Sequence, residues 1–82
     1  MNRDEARVLT DACIHEVAPE ADLSGLAADA DLQESLHLDS LDFLQVVELL
    51  SARAGVRIDE DDYPRLATMA STVDFLTKGG AR

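Results

Sequence analysis

The chain has 82 residues, room for one domain and not two, and a domain this small buries only about 60% of the surface its unfolded chain exposes. With 46% apolar residues but two Phe, one Tyr and no Trp, its thin core must be built from Leu, Val, Ile and Ala, which suits packed helices better than a sheet. Seven Lys and Arg against 17 Asp and Glu give a formal charge of −10, which speaks against nucleic acid and anionic membrane surfaces as partners and for basic protein surfaces.

The expected organisation is a single domain over residues 1–82, all-α and monomeric, with 79–82 as a frayed tail. No apolar run approaches the roughly 20 residues of a spanning helix, so membrane insertion is not expected. Arg3 is followed at once by Asp4 and Glu5, unlike the basic-then-apolar start of a signal peptide, and Cys13 is the one cysteine. A reducing cytoplasmic location is the expectation.

In chain order, Asn2 to Ala18 fits a helix in which Ala6, Leu9, Cys13 and Val17 recur at helical spacing, ended by Pro19. Arg3, Arg7, Asp11 and His15 fall on other parts of its circumference, and His15 is read as solvated, without a role. Pro19 to Asp39 is a connection of about 20 residues, long enough to be functional or to hold minor structure of its own. Leu23, Leu26, Leu32, Leu36 and Leu38 are expected to pin it to the core, with Asp22, Asp29, Asp31 and Glu34 facing water. A calcium loop starting at Asp29 fails, since Glu34 and Ser40 stand where Gly and Glu are required.

A second helix is predicted from Ser40 to Ala54, capped by Asp39 or Ser40 and ended by Gly55. Phe43, Leu44, Val46, Val47, Leu50 and Ala54 form its core stripe. The opposite face carries Asp42, Gln45, Glu48, Ala52 and Arg53, with Leu41 and Leu49 among them, a pattern suited to docking. Asp59 to Asp62 is an acid run that opposes the dipole at a helix N-terminus, and Pro64 keeps any helix there short. Thr68 or Ser71 can cap a last helix bearing Met69, Val73, Phe75 and Leu76. The sum is three longer helices and one short one.

Ser40 sits where the long loop turns into the second helix. The chain offers only His15 and His37 as imidazole bases and lacks a G-x-S-x-G elbow, so a hydrolase built on Ser40, Asp39 and His37 is not expected, and the chain is read as no enzyme. A serine that is acted upon needs an exposed hydroxyl and a surface for the modifying enzyme, and a phosphodiester there would lie at a helix N-terminus, which favours an anion. Phosphorylation would use the same physics, and an N-cap serine is the plainer reading of the spacing alone.

Asp39-Ser40-Leu41, followed by the apolar and acidic pattern of Asp42 to Leu50, resembles the attachment motif of acyl carrier proteins. Gly55 to Asp62 resembles the family's link into its short third helix, and Leu66, Thr68, Met69, Val73, Phe75 and Leu76 resemble its last helix. The resemblance covers nearly the whole chain. It implies a four-helix bundle with a long loop between its first two helices, and covalent 4′-phosphopantetheine, drawn from coenzyme A, on Ser40. It also implies an acyl or aminoacyl cargo held as a thioester for fatty-acid, polyketide or related biosynthesis. The implied partners are a phosphopantetheinyl transferase, a loading ligase or transferase, and downstream synthase enzymes. Asp39, Leu41, Asp42, Gln45, Glu48 and Leu49 are the implied partner contacts, and no metal is implied.

Two departures stand out. His37 replaces the family's usual glycine two residues before the aspartate, and Gln45, Ser51 and Ala52 stand where acids are common, which points to a dedicated pathway rather than general fatty-acid synthesis. The aspartate before the serine argues mildly against peptidyl carriers. The competing reading is a non-covalent acidic helical adaptor that binds a basic partner through Leu41, Leu49 and the surrounding acids.

Overall fold

The computed structural model describes residues 1–78 and is helical, with no strand among them apart from one isolated bridge between Asp31 and Thr68. The expected tail at 79–82 lies outside the described residues. Helix α1 spans Arg3–Val17. Asn2 caps it by accepting from the Glu5 amide while the Glu5 carboxylate accepts from the Asn2 amide, so two free donors at the helix start are satisfied reciprocally. Its buried face is Ala6, Thr10, Cys13 and Ile14, with Leu9 and Val17 at the margin. Thr10 is buried without penalty because its hydroxyl donates to the Ala6 carbonyl at 2.8 Å, a local bond that a reading of apolar periodicity passes over.

The long connection does hold structure: a short helix α2, Leu32–Leu36, capped by Asp31. This adds a fifth helical segment to the expected four. Leu23, Leu32 and Leu38 are buried and Leu26 and Leu36 pack against the core, while Asp22, Asp29, Asp31 and Glu34 remain exposed. Two backbone bonds, Leu32 N–H to Ala67 carbonyl at 2.7 Å and Ala70 N–H to Ala28 carbonyl at 3.0 Å, tie the connection to the start of the last helix. His15 adds a third tether, since its Nε2 lies 3.0 Å from the Ala21 carbonyl just beyond Pro19.

Helix α3, Ser40–Ala54, begins with Asp39 as its cap and ends at Gly55, whose φ of 68° supplies the left-handed turn. Val46, Val47 and Leu50 are its buried residues. After it a 3-10 helix spans Glu60–Leu66; Pro64 has no N–H to give and its ring obstructs an α-helix, so the tighter winding takes over there. Helix α4, Met69–Thr77, is capped by Thr68, which accepts from the Ser71 amide at 3.1 Å, and Ser71 Oγ accepts from the Thr68 amide in return.

Helices α1, α3 and α4 form the bundle, with α1 against both others and the 3-10 helix against α4. Phe75 is fully buried at the centre, and the Arg65 guanidinium lies over its ring, 4.9 Å from the centroid. Exposed ion pairs stitch the ends: Arg3 with Asp74, and Arg53 with Glu16.

Candidate functional site

The Asp39-Ser40 corner is built by two helix ends. His37 closes α2 in the left-handed conformation, φ 58°, and the Leu38 amide donates to the Gln33 carbonyl at 2.9 Å, so the chain turns sharply out of α2. Asp39 then opens α3: its Oδ1 accepts from the Asp42 amide at 2.8 Å and its carbonyl accepts from Phe43 N–H at 3.0 Å. Ser40 is the first residue of α3 and is exposed. Among the described residues neither its hydroxyl nor the amides of Ser40 and Leu41 have a partner in the chain. A free hydroxyl beside two free amides at the positive end of a fifteen-residue helix suits an anionic substituent.

Ser40 opens onto a groove of about 430 Å³ between α3 and the 3-10 helix, walled by Phe43, Leu44, Tyr63, Pro64 and Ala67, to which Gln33 and Glu60 add polar groups. His37 lines a separate groove of about 370 Å³ with Glu20, Asp22 and Asp42. His37 and Ser40 thus line different grooves, and the Asp39 carboxylate is engaged as a cap. The Ser24 hydroxyl and amide hold Asp22 below the usual range, Arg3 does the same for Asp74, and burial pushes the Cys13 thiol up.

Of the residues expected to meet partners, Leu41, Gln45 and Glu48 lie together on the outer face of α3, and Leu41 is 66% exposed. Asp39 is exposed beside them, and Asp42 is half-buried. Leu49 departs from the expectation of an exposed leucine, being half-buried and packed on the core. Leu44, expected in the core stripe, is exposed and lines the groove. Tyr63 and the groove function of Phe43 and Leu44 were not legible from spacing; an aromatic set against the acid run Asp59 to Asp62 is the one signal the sequence carries for them.

A profile described as the phosphopantetheine attachment site matches residues 11–76, most of the chain. The chain belongs to that family. Phosphopantetheine attachment domains carry 4′-phosphopantetheine covalently and act as carriers rather than catalysts, and the exposed hydroxyl, free amides and adjoining groove at Ser40 fit such a group. The family match accords with the acyl-carrier resemblance of the sequence and with a helical bundle. No curated protein was found to match the chain. No described helix is long and apolar enough to cross a membrane.

Proposed function

We propose that the chain is an acyl carrier protein in which Ser40 bears the phosphopantetheine arm. The observation that carries this is the state of the serines. Of five, Ser24 Oγ donates to Asp22, Ser51 Oγ to the Val56 carbonyl and Ser71 Oγ to the Thr68 carbonyl, leaving Ser35 and Ser40 exposed with free hydroxyls. Only Ser40 stands at the start of a long helix with free amides beside it.

On this reading Ser40 Oγ forms the ester bond to phosphorus within a phosphopantetheinyl transferase, its proton passing to a base of that enzyme and adenosine 3′,5′-bisphosphate leaving from coenzyme A. The arm supplies a terminal thiol that carries an acyl or aminoacyl group as a thioester. The protein's own contribution is display. α3 fixes Ser40 at its rim, and tethering raises the cargo's effective concentration at each loading enzyme and downstream synthase of a fatty-acid, polyketide or related pathway. Asp39, Leu41, Gln45 and Glu48 form the face partners would read, with Leu44 added and Asp42 and Leu49 at its edge. The acids would steer basic partner surfaces. The expected setting is the cytoplasm, with the carrier acting as a monomer.

The test is the intact mass of wild type, Ser40→Ala and Ser35→Ala after incubation with coenzyme A, magnesium and a promiscuous transferase. Wild type and Ser35→Ala are expected to gain one phosphopantetheine and Ser40→Ala none. Gain by Ser40→Ala would move the attachment point. No gain by any folded variant would favour the non-covalent adaptor, and the exposed leucines would be the next residues to change.

A further inference from the structure

We infer that the outer face of α1 around Val8, Leu9 and Ala12 is a docking surface in its own right, and that its occupant is a partner protein presenting aliphatic side chains among Lys and Arg; this goes beyond the carrier reading above and needs no arm on Ser40. Four large apolar residues are exposed among the described residues. Leu41 and Leu44 belong to α3, close in sequence to Ser40. The other two lie at α1: Met1 just ahead of its cap, and Val8, 67% exposed, within the helix.

Neither packing nor helix propensity calls for valine at position 8. So exposed a side chain gains little from folding, and a β-branched one loses χ1 freedom in a helix. Ala12 follows one turn on and is exposed, while Leu9 is half-buried and packed against the core, which fixes the patch to the bundle. With Asp4 and Glu5 these three wall a shallow surface groove of about 420 Å³ whose lining is almost entirely carbon. None of its residues lines the groove beside Ser40.

The charge around the patch decides what fits it. Asp4 and Glu5 border it, and neither is paired with a cation among the described residues. The two cations of the same half of α1 are already engaged, Arg3 by Asp74 and Arg7 by Asp11. A second copy would bring one formal charge of −10 against another, and an anionic membrane or a nucleic acid would meet the same repulsion. A basic-rimmed aliphatic surface gains twice, from covering Val8 and Leu9 and from setting cations opposite Asp4 and Glu5. A partner held there uses none of the residues of the Ser40 corner and would keep the carrier at high effective concentration beside it.

The experiment titrates the full, unmodified chain with a synthetic amphipathic helical peptide of leucine and lysine, and with an uncharged leucine and glutamine analogue, followed by methyl and amide NMR. Shifts with the cationic peptide are expected at Val8, Leu9 and Ala12. Val8→Gln keeps the charge and suits a helix, and is expected to weaken binding at this face about tenfold, the scale of one buried aliphatic side chain. Asp4→Asn is expected to weaken it as well and to flatten its salt dependence. Circular dichroism establishes that each variant is folded. Shifts confined to α3, no shifts at all, or equal binding of the uncharged analogue would overturn the inference. Self-association in sedimentation that Val8→Gln abolishes would make a second copy the occupant and overturn it too. Because Ser40 bears no arm in this experiment, its outcome is independent of the mass test that decides the carrier reading.

Discussion

His37 is the one non-glycine residue held at positive φ among the described residues, and it lies three positions before Ser40. The left-handed conformation costs a residue with a Cβ roughly 1–2 kcal/mol, and glycine avoids this while giving back roughly 0.4–1 kcal/mol through its freer unfolded chain. His37→Gly is therefore expected to stabilise the fold by about 0.5 kcal/mol, and His37→Val, β-branched, to destabilise it by about 1 kcal/mol. Urea unfolding at unchanged slope measures both. Because His37 lines a different groove from Ser40, the glycine variant is also expected to take up phosphopantetheine as wild type does. Cys13 makes a second prediction. Burial raises its pKa in the fold, so the native state keeps the proton that the unfolded chain gives up near 9.0. The stability this represents is complete below that value and is lost as pH rises through the higher folded pKa. Cys13→Ala is expected to show a shallower loss of stability between pH 8 and 10 than wild type, and an equal slope in the two would remove Cys13 from the alkaline response.

At the scale of the element, α3 shows what the sequence carried and what it did not. Its start at Ser40 and its Gly55 stop were legible because each depends on a local backbone requirement that a residue type satisfies, whereas the cap was left between Asp39 and Ser40 and the structure takes Asp39. The Pro19 stop of α1 was legible in the same way, and of the two caps open for α4, Thr68 or Ser71, the structure takes Thr68. Leu44 and Leu49 were not separable this way. At about 100° per residue they fall on opposite flanks of the Val46, Val47 and Leu50 stripe, each well over 90° from its centre, so periodicity treats them almost alike. Which flank is covered depends on neighbours distant in sequence, and the flank of Leu44 was left open as the groove toward the 3-10 helix. The short α2 escaped for a different reason: five residues are too few to show a period. The placement is measurable. Leu49→Ala is expected to cost about 1–2 kcal/mol, less than a fully buried leucine, and Leu44→Ala less than about 0.5 kcal/mol. The reverse order in urea unfolding would put Leu44, not Leu49, on the core side.

For the whole molecule, charge is the largest imbalance. Among the described residues four ion pairs engage Arg3, Arg7, Arg53 and Arg57, all exposed but the half-buried Arg7–Asp11, and such solvated pairs add little, while most of the acids have no cation within ion-pair distance there. The imbalance is also local, because no Lys or Arg occurs between Arg7 and Arg53, the stretch that contains the Ser40 corner. Salt therefore acts in two directions: it weakens the ion pairs and it screens repulsion among the acids. The excess of acids makes the second effect larger, so at pH 7 the melting temperature is expected to climb as NaCl is raised from about 0.01 to 0.5 M, over which the screening length falls from roughly 30 Å to a few Å. Near the isoelectric pH of about 4.3 the net repulsion is gone and only the pairs remain to be screened, so the climb is expected to vanish or reverse there. A climb of equal size at both pH values would assign the effect to general exclusion of salt from the protein surface rather than to its charge. A flat response at pH 7 would mean that the acids are spaced widely enough, despite the run without a cation, to repel one another little.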